Sequence, residues 1–296
     1  MSQPETKVEP RRLIENSPER ISLPLFSDFS LELSPASFSP FGYPTRRLQK
    51  GWGLVHGSVP LVEEAVGFGV PILKKGLRAV FPGGIRFDHR RTGATWEVDA
   101  RFQMNLEEGL SRRGQAITPA SSLHTAKEAL ASLHRHAPAL RRLLNLFSNS
   151  LRRLFDWETT FAESASQVDV AIAYTVHGDE GRIGVVADLS NLPRGSFTEL
   201  VLMNEQGAHF FDGYRDSDGA SIRGKRIGSW DRVAAQRASF ISSAHGIAFS
   251  LHQVDGAALF RGREVVGSRL AWAGFGYSVP AEWDRFAYDL ILEQAP

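Results

Sequence analysis

Residues 95–107 alternate between apolar and polar side chains without a break, and no other feature of the chain constrains the fold so strongly. Successive side chains of an extended strand point to opposite faces, so the pattern predicts one long β-strand with one buried face. The apolar face carries Trp96, Val98, Ala100, Phe102, Met104 and Leu106. The polar face carries Thr95, Glu97, Asp99, Arg101, Gln103, Asn105 and Glu107. That polar face is either a solvated surface or the floor of a polar cleft.

The composition indicates a globular protein and excludes several kinds of site. Of the 296 residues, 42% are hydrophobic, which is enough for one large β domain or two smaller ones. The chain has no cysteine, so disulfides, thiolate metal centres and thiol nucleophiles are excluded. The same absence fits a reducing compartment, and we expect a cytoplasmic protein.

Charge and hydropathy argue against two kinds of partner. The formal net charge is +1, so no overall positive field draws the protein to nucleic acid. The N-terminal segment contains no apolar stretch typical of a secretory signal, and no later run approaches the roughly 18 apolar residues of a membrane-spanning helix. The sequence therefore predicts neither nucleic-acid binding nor a membrane span.

The distribution of proline sets the predicted domain organisation. Seven of the fifteen prolines lie within residues 1–44, mixed with serine and charged residues. Because such a segment buries little apolar surface, we expect a mobile tail over residues 1–20 and an extended arm over residues 21–44. Within the arm, alternation at residues 29–33 predicts a short strand laid on the main body. Residues 45–296 are then expected to form a single large domain.

A helical pair is predicted in the middle of the chain, over about residues 121–155. Ser121 or Ser122 is suited to cap the first helix. The apolar stripe of that helix is Leu123, Ala126, Leu130, Leu133 and Ala137. Pro138 is suited to the first position of the second helix, since a proline there loses no hydrogen bond. The pair is predicted to be an insertion at residues 119–156.

Strand patterns return after the predicted helices. Residues 168–176 and 183–189 alternate on either side of a turn-forming segment, which predicts a hairpin. A second hairpin is predicted between residues 197–203 and 208–214, across a turn at residues 204–207. The expected fold class is mainly β: a large antiparallel β-sandwich whose two halves flank the inserted helical pair.

The polar face of the long strand supplies the catalytic candidates. Glu97 and Asp99 are alternate residues of one strand and lie roughly 6.5 to 7 Å apart, near the lower end of the acid–base separation in inverting glycoside hydrolysis. Arg101 follows them in the same row and is a candidate for ligand binding. The alternative is a solvated face, because polar alternation on an antiparallel sheet usually faces water.

Tryptophans and one histidine are the other ligand-binding candidates. Trp52 and His56 share the glycine-rich segment GWGLVHG, and an indole beside an imidazole is a common way to hold a sugar ring or a planar ligand. The simpler alternative is that the glycines let the backbone turn tightly and Trp52 fills the core. Trp96 and Trp272 are candidates for aromatic residues that line a polar sheet face.

No cofactor or metal site is predicted. The glycine spacing in GWGLVHG does not match a dinucleotide-binding turn. The histidines are not spaced to chelate a metal from one side of a helix or strand. Asp212, Asp216 and Asp218 miss the spacing of an EF-hand loop, and an aspartate-rich turn explains them more simply.

The second predicted helix carries an alternative binding surface. Its leucines and phenylalanines cluster on one side, and the opposite side is basic. The basic candidates are Arg141, Arg142, Arg152 and Arg153. Such a helix is suited to an anionic membrane surface or an acidic partner. Alternatively, its apolar side packs on a sheet and the arginines are simply solvated.

Two hypotheses for the function follow. The first is a protein that binds a carbohydrate or similar polyhydroxylated small molecule on a polar sheet face, with hydrolase or isomerase activity as an extension. The second is a non-enzymatic interaction protein that uses the basic helix. The first requires a candidate tryptophan to be partly exposed beside the carboxylate row, whereas the second requires an exposed helix.

Overall fold

The computed structural model describes residues 12–13, 20–33, 51–62, 67–76, 78–112, 115–116, 157–228, 230–266 and 270–295. In these residues the chain forms twenty β-strands and one turn of 3-10 helix, Gly224–Ile227. The strands are β1 (Arg12–Leu13), β2 (Ile21–Pro24), β3 (Phe29–Leu33), β4 (Gly53–His56), β5 (Val59–Pro60), β6 (Phe68–Lys75), β7 (Arg78–Thr92), β8 (Thr95–Arg112), β9 (Gln115–Ala116), β10 (Trp157–His177), β11 (Arg182–Asp188), β12 (Glu199–Gln206), β13 (Gly213–Asp216), β14 (Ser221–Arg223), β15 (Asp231–Arg232), β16 (Arg237–Ser242), β17 (Ile247–His252), β18 (Ala258–Val266), β19 (Leu270–Pro280) and β20 (Arg285–Gln294). No helix in this part of the chain is long and apolar enough to cross a membrane.

Sixteen of the described strands belong to one large antiparallel sheet. Its order is β14-β13-β16-β17-β20-β11-β10-β8-β7-β6-β12-β19-β18-β15, with β1 beside β7 and β9 beside β8. The prediction of a mainly β protein built on a large antiparallel sheet is confirmed. The helical pair predicted at residues 119–156 lies outside the described residues.

The longest strands, β7, β8 and β10, lie in the middle of the sheet. β8 contains the strand predicted at residues 95–107 and continues to Arg112. The apolar side chains that alternate along it are almost inaccessible to solvent: Val98, Ala100, Phe102, Met104 and Leu106. The hairpin predicted over residues 168–189 is also confirmed, since β10 pairs with β11.

The large sheet folds over so that its two halves pack face to face. The ring centres of Phe68 on β6 and Phe249 on β17 are 5.1 Å apart, and those of Phe240 on β16 and Phe275 on β19 are 4.8 Å apart. These strands are distant in the strand order, so the contacts join the two layers. The apolar side chains of both halves therefore share one core, as in a sandwich-like fold.

The hairpin predicted between residues 197–203 and 208–214 is wrong. β12 runs through the predicted turn and pairs with β6 on one side and β19 on the other. Asn204 and Gln206, which suggested a turn, are fully buried on this strand. Burial of amide side chains is tolerated here because both amides are hydrogen-bonded.

Asn204 is the centre of a buried polar network that joins four strands. Its Oδ1 accepts hydrogen bonds from the Gly69 N–H at 3.1 Å and from the Tyr288 hydroxyl at 2.9 Å. The Tyr174 hydroxyl donates to the Gly69 carbonyl at 2.7 Å. Burial raises the pKa of both tyrosines, so their hydroxyls stay protonated and remain donors at neutral pH. The network therefore ties β6, β10, β12 and β20 together inside the core.

Replacing Asn204 with leucine should cost substantial stability. Asn204→Leu keeps the branching of the side chain but leaves the Gly69 N–H and the Tyr288 hydroxyl buried without an acceptor, at about 1 to 3 kcal/mol for each group. We expect the free energy of unfolding, measured by urea denaturation, to fall by about 2 to 5 kcal/mol. Adding Tyr288→Phe to this variant removes one stranded donor and should recover part of the loss. A cost below about 1 kcal/mol for Asn204→Leu would contradict the role of the network.

The other four described strands form a second sheet, in the order β2-β3-β4-β5. β3 is the strand predicted at residues 29–33, and it pairs with β4. Gln206 joins this sheet to β12, because its Oε1 accepts from the Leu54 N–H at 3.0 Å and its Nε2 donates to the Trp52 carbonyl at 3.1 Å. The single domain expected over residues 45–296 stays a prediction.

A histidine pair makes a further contact between the two sheets. His56, at the end of β4, faces His245 in the turn between β16 and β17, with 2.9 Å between their Nδ1 atoms. The Phe29 ring stacks on His56 with 4.3 Å between ring centres, and the Phe210 ring lies 5.5 Å from His245. One Nδ1 must donate and the other accept, so this hydrogen bond requires an unprotonated nitrogen. Burial is the main cause that lowers the pKa of His245, and charge on the nearby His56 lowers it further.

We expect acid to weaken this contact. The pKa of folded His245 lies below its ordinary value of 6.5, so the unfolded chain binds more protons as the pH falls below about 6.5. The stability that depends on neutral His245 is therefore present above that pH and is lost as the pH falls through the pKa of the folded state. Urea denaturation at pH 8, 7, 6 and 5 measures how the free energy of unfolding depends on pH. This dependence should be weaker in His245→Asn than in the parent protein.

The matched control is His252→Asn at an exposed histidine, which should keep the pH dependence of the parent protein. If His245→Asn showed the same dependence as the parent between pH 7 and pH 5, the histidine pair would not be the acid-sensitive contact.

Candidate functional site

The outward face of β12, β19 and β18 carries the candidate site. Leu202, Phe275 and Tyr277 on these strands are fully buried in the core, so the residues that alternate with them face outward. Strand pairing aligns the outward residues in three rows: Glu205, Gly274 and Gly262; Met203, Gly276 and Phe260; and Val201, Ser278 and Ala258. The rows cross the face from β12 to β18.

An open cavity of about 560 Å³ lies at one end of this face. It is lined by Thr198, Glu199, Arg232, Gly256, Ala257, Ala258, Ser278, Pro280 and Glu282. The cavity lies where β12 begins and β19 ends, since Glu199 pairs with Pro280 there. Its volume falls within the range of small-molecule binding sites.

Trp283 packs against the wall of the cavity. Gly256 has a φ of 79°, and a Cβ atom on it would lie only 2.7 Å from Trp283 Cζ2. A side chain at this position is therefore excluded both by the backbone conformation and by the indole. Trp283 is partly exposed and lies behind Gly256, with its ring centre 6.1 Å from that of Phe286, and it does not itself line the cavity. No local pattern in the sequence marks Trp283 as a site residue.

Charged groups of both signs line the cavity. Glu199 is ion-paired with Lys74 on β6, with 3.2 Å between Nζ and Oε2. Arg232 and Glu282 are exposed, and neither forms an ion pair with another residue in the part of the chain that the structure describes. A guanidinium donor and a carboxylate acceptor are therefore available to a ligand.

Two stacked tryptophans lie farther along the same face. The rings of Trp230 and Trp272 are 4.9 Å apart at an angle of 24°. Glycines make room for them: a Cβ on Gly262 would lie 2.6 Å from Trp272 Cη2, and one on Gly276 would lie 2.9 Å from Trp230 Cζ3. Trp272 is only 7% exposed, whereas Trp230 is partly exposed. The pair forms a small apolar cluster outside the main core.

The predicted carboxylate row lies on a different strand, β8. Glu97 forms an ion pair with Arg90 of β7, and Asp99 and Arg101 are exposed. Trp96 faces the opposite side of β8, because adjacent residues of a strand alternate between faces. The structure therefore does not bring Trp96 beside this row. A catalytic role for Glu97 and Asp99 stays a prediction, as does ligand binding by Arg101.

The other predicted site residues are dispersed. Trp52 is fully buried and meets the Tyr174 ring edge-on at 5.8 Å, so it fills the core. His56 lies in the contact between the two sheets. Trp272 is the predicted residue that belongs to the candidate face. The four arginines of the predicted basic helix, Arg141, Arg142, Arg152 and Arg153, lie outside the described residues.

The aspartate-rich segment between β13 and β14 is a hydrogen-bonded turn. Asp216 Oδ1 accepts from the N–H groups of Asp218 at 3.1 Å and Ala220 at 3.0 Å, and its Oδ2 accepts from the Tyr214 hydroxyl at 2.9 Å. Burial, followed by this carboxylate, raises the pKa of Tyr214 to about 12. Within the described residues, no three histidine, aspartate or glutamate side chains are placed to hold a metal ion.

Comparisons with known proteins find a loose resemblance in fold. No protein-family model matches the chain, and no curated protein matches it. Three solved structures of the α-N-acetylgalactosaminidase NagBb from Bifidobacterium bifidum each align with 93% of the chain: a complex with GalNAc, a complex with Gal-NHAc-DNJ, and a quadruple mutant. Their TM-scores are 0.48, 0.47 and 0.46, at 10%, 9% and 10% identity. The chain spans 36% of the length of these structures.

Proposed function

We propose that the cavity beside Trp283 binds a neutral carbohydrate or a similar polyhydroxylated small molecule. The observation that carries the proposal is the pair of charged groups, Arg232 and Glu282, that line the cavity without an ion-pair partner among the described residues. A hydroxyl group both donates and accepts hydrogen bonds, so a sugar satisfies a guanidinium and a carboxylate at once.

The remaining lining residues fit the same kind of ligand. Thr198 and Ser278 add hydroxyl groups that donate or accept, whereas Ala257, Ala258 and Pro280 add apolar surface. Five of the nine lining residues are polar or charged, so the cavity suits a ligand with many hydroxyl groups better than an apolar one. Because the available charges are one of each sign, the cavity favours a ligand without strong net charge.

Binding is the activity that this geometry supports. Glu199 is held by Lys74, and Glu282 is exposed, so neither carboxylate sits in the apolar enclosure that suits a general acid. We therefore propose a binding protein. The β-sandwich architecture for residues 45–296, the helical insertion at residues 119–156 and the cytoplasmic location accompany this proposal as predictions.

Removing either charge at the cavity should weaken sugar binding. Arg232→Gln and Glu282→Gln keep most of the side-chain shape and remove one charge-assisted hydrogen bond each, which is worth about 1.5 to 3 kcal/mol. A microarray of neutral mono- to hexasaccharides, followed by calorimetry on the sugars that bind, should show at least a roughly tenfold loss of affinity in each variant.

Arg86→Gln provides the matched control, because Arg86 is an exposed arginine of β7 that pairs with Asp169. This control should bind as the parent does. The proposal fails if the parent binds no sugar at millimolar concentrations, or if Arg232→Gln and Glu282→Gln both bind as tightly as the parent.

A further inference from the structure

We infer that Lys74 determines the charge selectivity of the cavity. Its ammonium group neutralises Glu199, so the cavity takes sugars that carry hydroxyl groups and discriminates against amino sugars, which carry a positive charge. This inference rests on the proposed function of the cavity. Lys74 does not line the cavity and acts through Glu199, so it is a positioning residue and not a ligand contact.

The charges that line the cavity are unbalanced without Lys74. Glu199 and Glu282 are acidic, and Arg232 is basic. Two carboxylates against one guanidinium leave one negative charge in excess. An excess carboxylate attracts a cationic ligand and favours an amine over a hydroxyl group. Lys74 supplies the positive charge that the lining itself lacks.

Strand pairing holds the ion pair in place. Glu199, at the start of β12, lies directly opposite Lys74, near the end of β6. The Lys74 Nζ atom is 3.2 Å from Glu199 Oε2, and the two side chains are 33% and 28% exposed. Salt and water screen such a half-buried pair less than a fully exposed one. Neither residue forms another ion pair in the part of the chain that the structure describes.

The main chain of Lys74 fixes the same wall of the cavity. Its carbonyl accepts hydrogen bonds from the Thr198 N–H at 2.8 Å and from the Thr198 hydroxyl at 3.2 Å. The Thr198 carbonyl in turn accepts from the Ala281 N–H at 3.2 Å. These bonds do not involve the Lys74 ammonium group. A substitution of the side chain therefore changes the charge beside Glu199 and leaves the wall in place.

The remaining charges explain the preference for a hydroxyl group. Once Lys74 neutralises Glu199, the free charges at the cavity are Arg232 and Glu282, one of each sign. A hydroxyl group accepts from a guanidinium and donates to a carboxylate. An ammonium group only donates, so it leaves the guanidinium without an acceptor and is repelled by it. The balanced cavity therefore selects against a free amine.

The test compares each hydroxyl sugar with its amino counterpart on the full chain. Calorimetry at about pH 6.5, where carboxylates stay charged, uses glucose with glucosamine, galactose with galactosamine, and mannose with mannosamine. The parent should bind the hydroxyl sugar at least as tightly as the amino sugar. Lys74→Met keeps the length of the side chain and removes the charge. In this variant the affinity for the amino sugar relative to the hydroxyl sugar should rise at least about fivefold.

Three further variants separate charge from structure. Lys74→Arg keeps the cation and should retain the selectivity of the parent. Lys75→Met is the matched control, because the Lys75 ammonium is exposed and donates to the Gly195 carbonyl at 3.1 Å, outside the cavity lining, and it too should retain the selectivity. Adding Glu199→Gln to Lys74→Met removes the excess carboxylate and should return the ratio of affinities to that of the parent. A purely structural role of Lys74 would not produce this reversal.

The outcomes distinguish the selectivity from the site itself. If Lys74→Met binds sugars with an unchanged ratio of affinities, the role of Lys74 is overturned while the cavity stands. The same holds if the parent prefers the amino sugars, or if it binds other sugars but none of these six. If no sugar binds the parent, both proposals are overturned.

Discussion

The structure depends on the aromatic contacts that hold the two halves of the large sheet together. Phe249 is their centre, with ring centres of Phe211, Phe68, Phe240 and Phe275 at 5.0, 5.1, 5.6 and 5.8 Å. These rings come from strands in both layers and from the loop after β12, so one side chain joins parts of the chain that are far apart in sequence. Aromatic rings are the largest apolar groups available, which is why so few of them seal the space between two sheets.

This core limits which faces of the sheet are open to a ligand. Since the inner faces of β12, β18 and β19 are occupied by packed side chains, only their outward faces are available. Residues on such strands are held by pairing on both sides, and groups held on regular strands are placed more accurately than groups on free loops. Glycines on the outward face matter as much as the polar groups, because they create the depth in which two indoles lie.

Much of the fold was predictable from local alternation, because a buried strand face leaves a period of two in the sequence. Residues 95–107, 168–189 and 29–33 follow that rule. β12 does not, because Asn204 and Gln206 face the core as polar residues, and a turn is the ordinary interpretation of such residues. Only the hydrogen-bond partners from distant strands explain them, and sequence spacing does not show those partners.

The candidate site was less predictable, for a related reason. Arg232, Glu282 and Trp283 lie near strand ends, without a shared motif, and meet only through pairing between strands. Trp272 was predicted as a ligand residue, but its neighbour Trp230 was not, because 42 positions separate them in the chain. The glycines at positions 262 and 276 were the available signal, since two glycines facing one side of paired strands leave space for large side chains, here the two indoles.

The ends of the large sheet have a consequence for solubility. Its terminal described strands, β14 and β15, contain three and two residues. An unpaired strand edge exposes N–H and C=O groups to which another copy of a chain adds its own strand, and a short edge offers few of them. Short terminal strands therefore leave little room for edge-to-edge growth at these two ends of the sheet. Arg232 of β15 also lines the cavity, so lengthening that edge would alter the cavity and favour self-association.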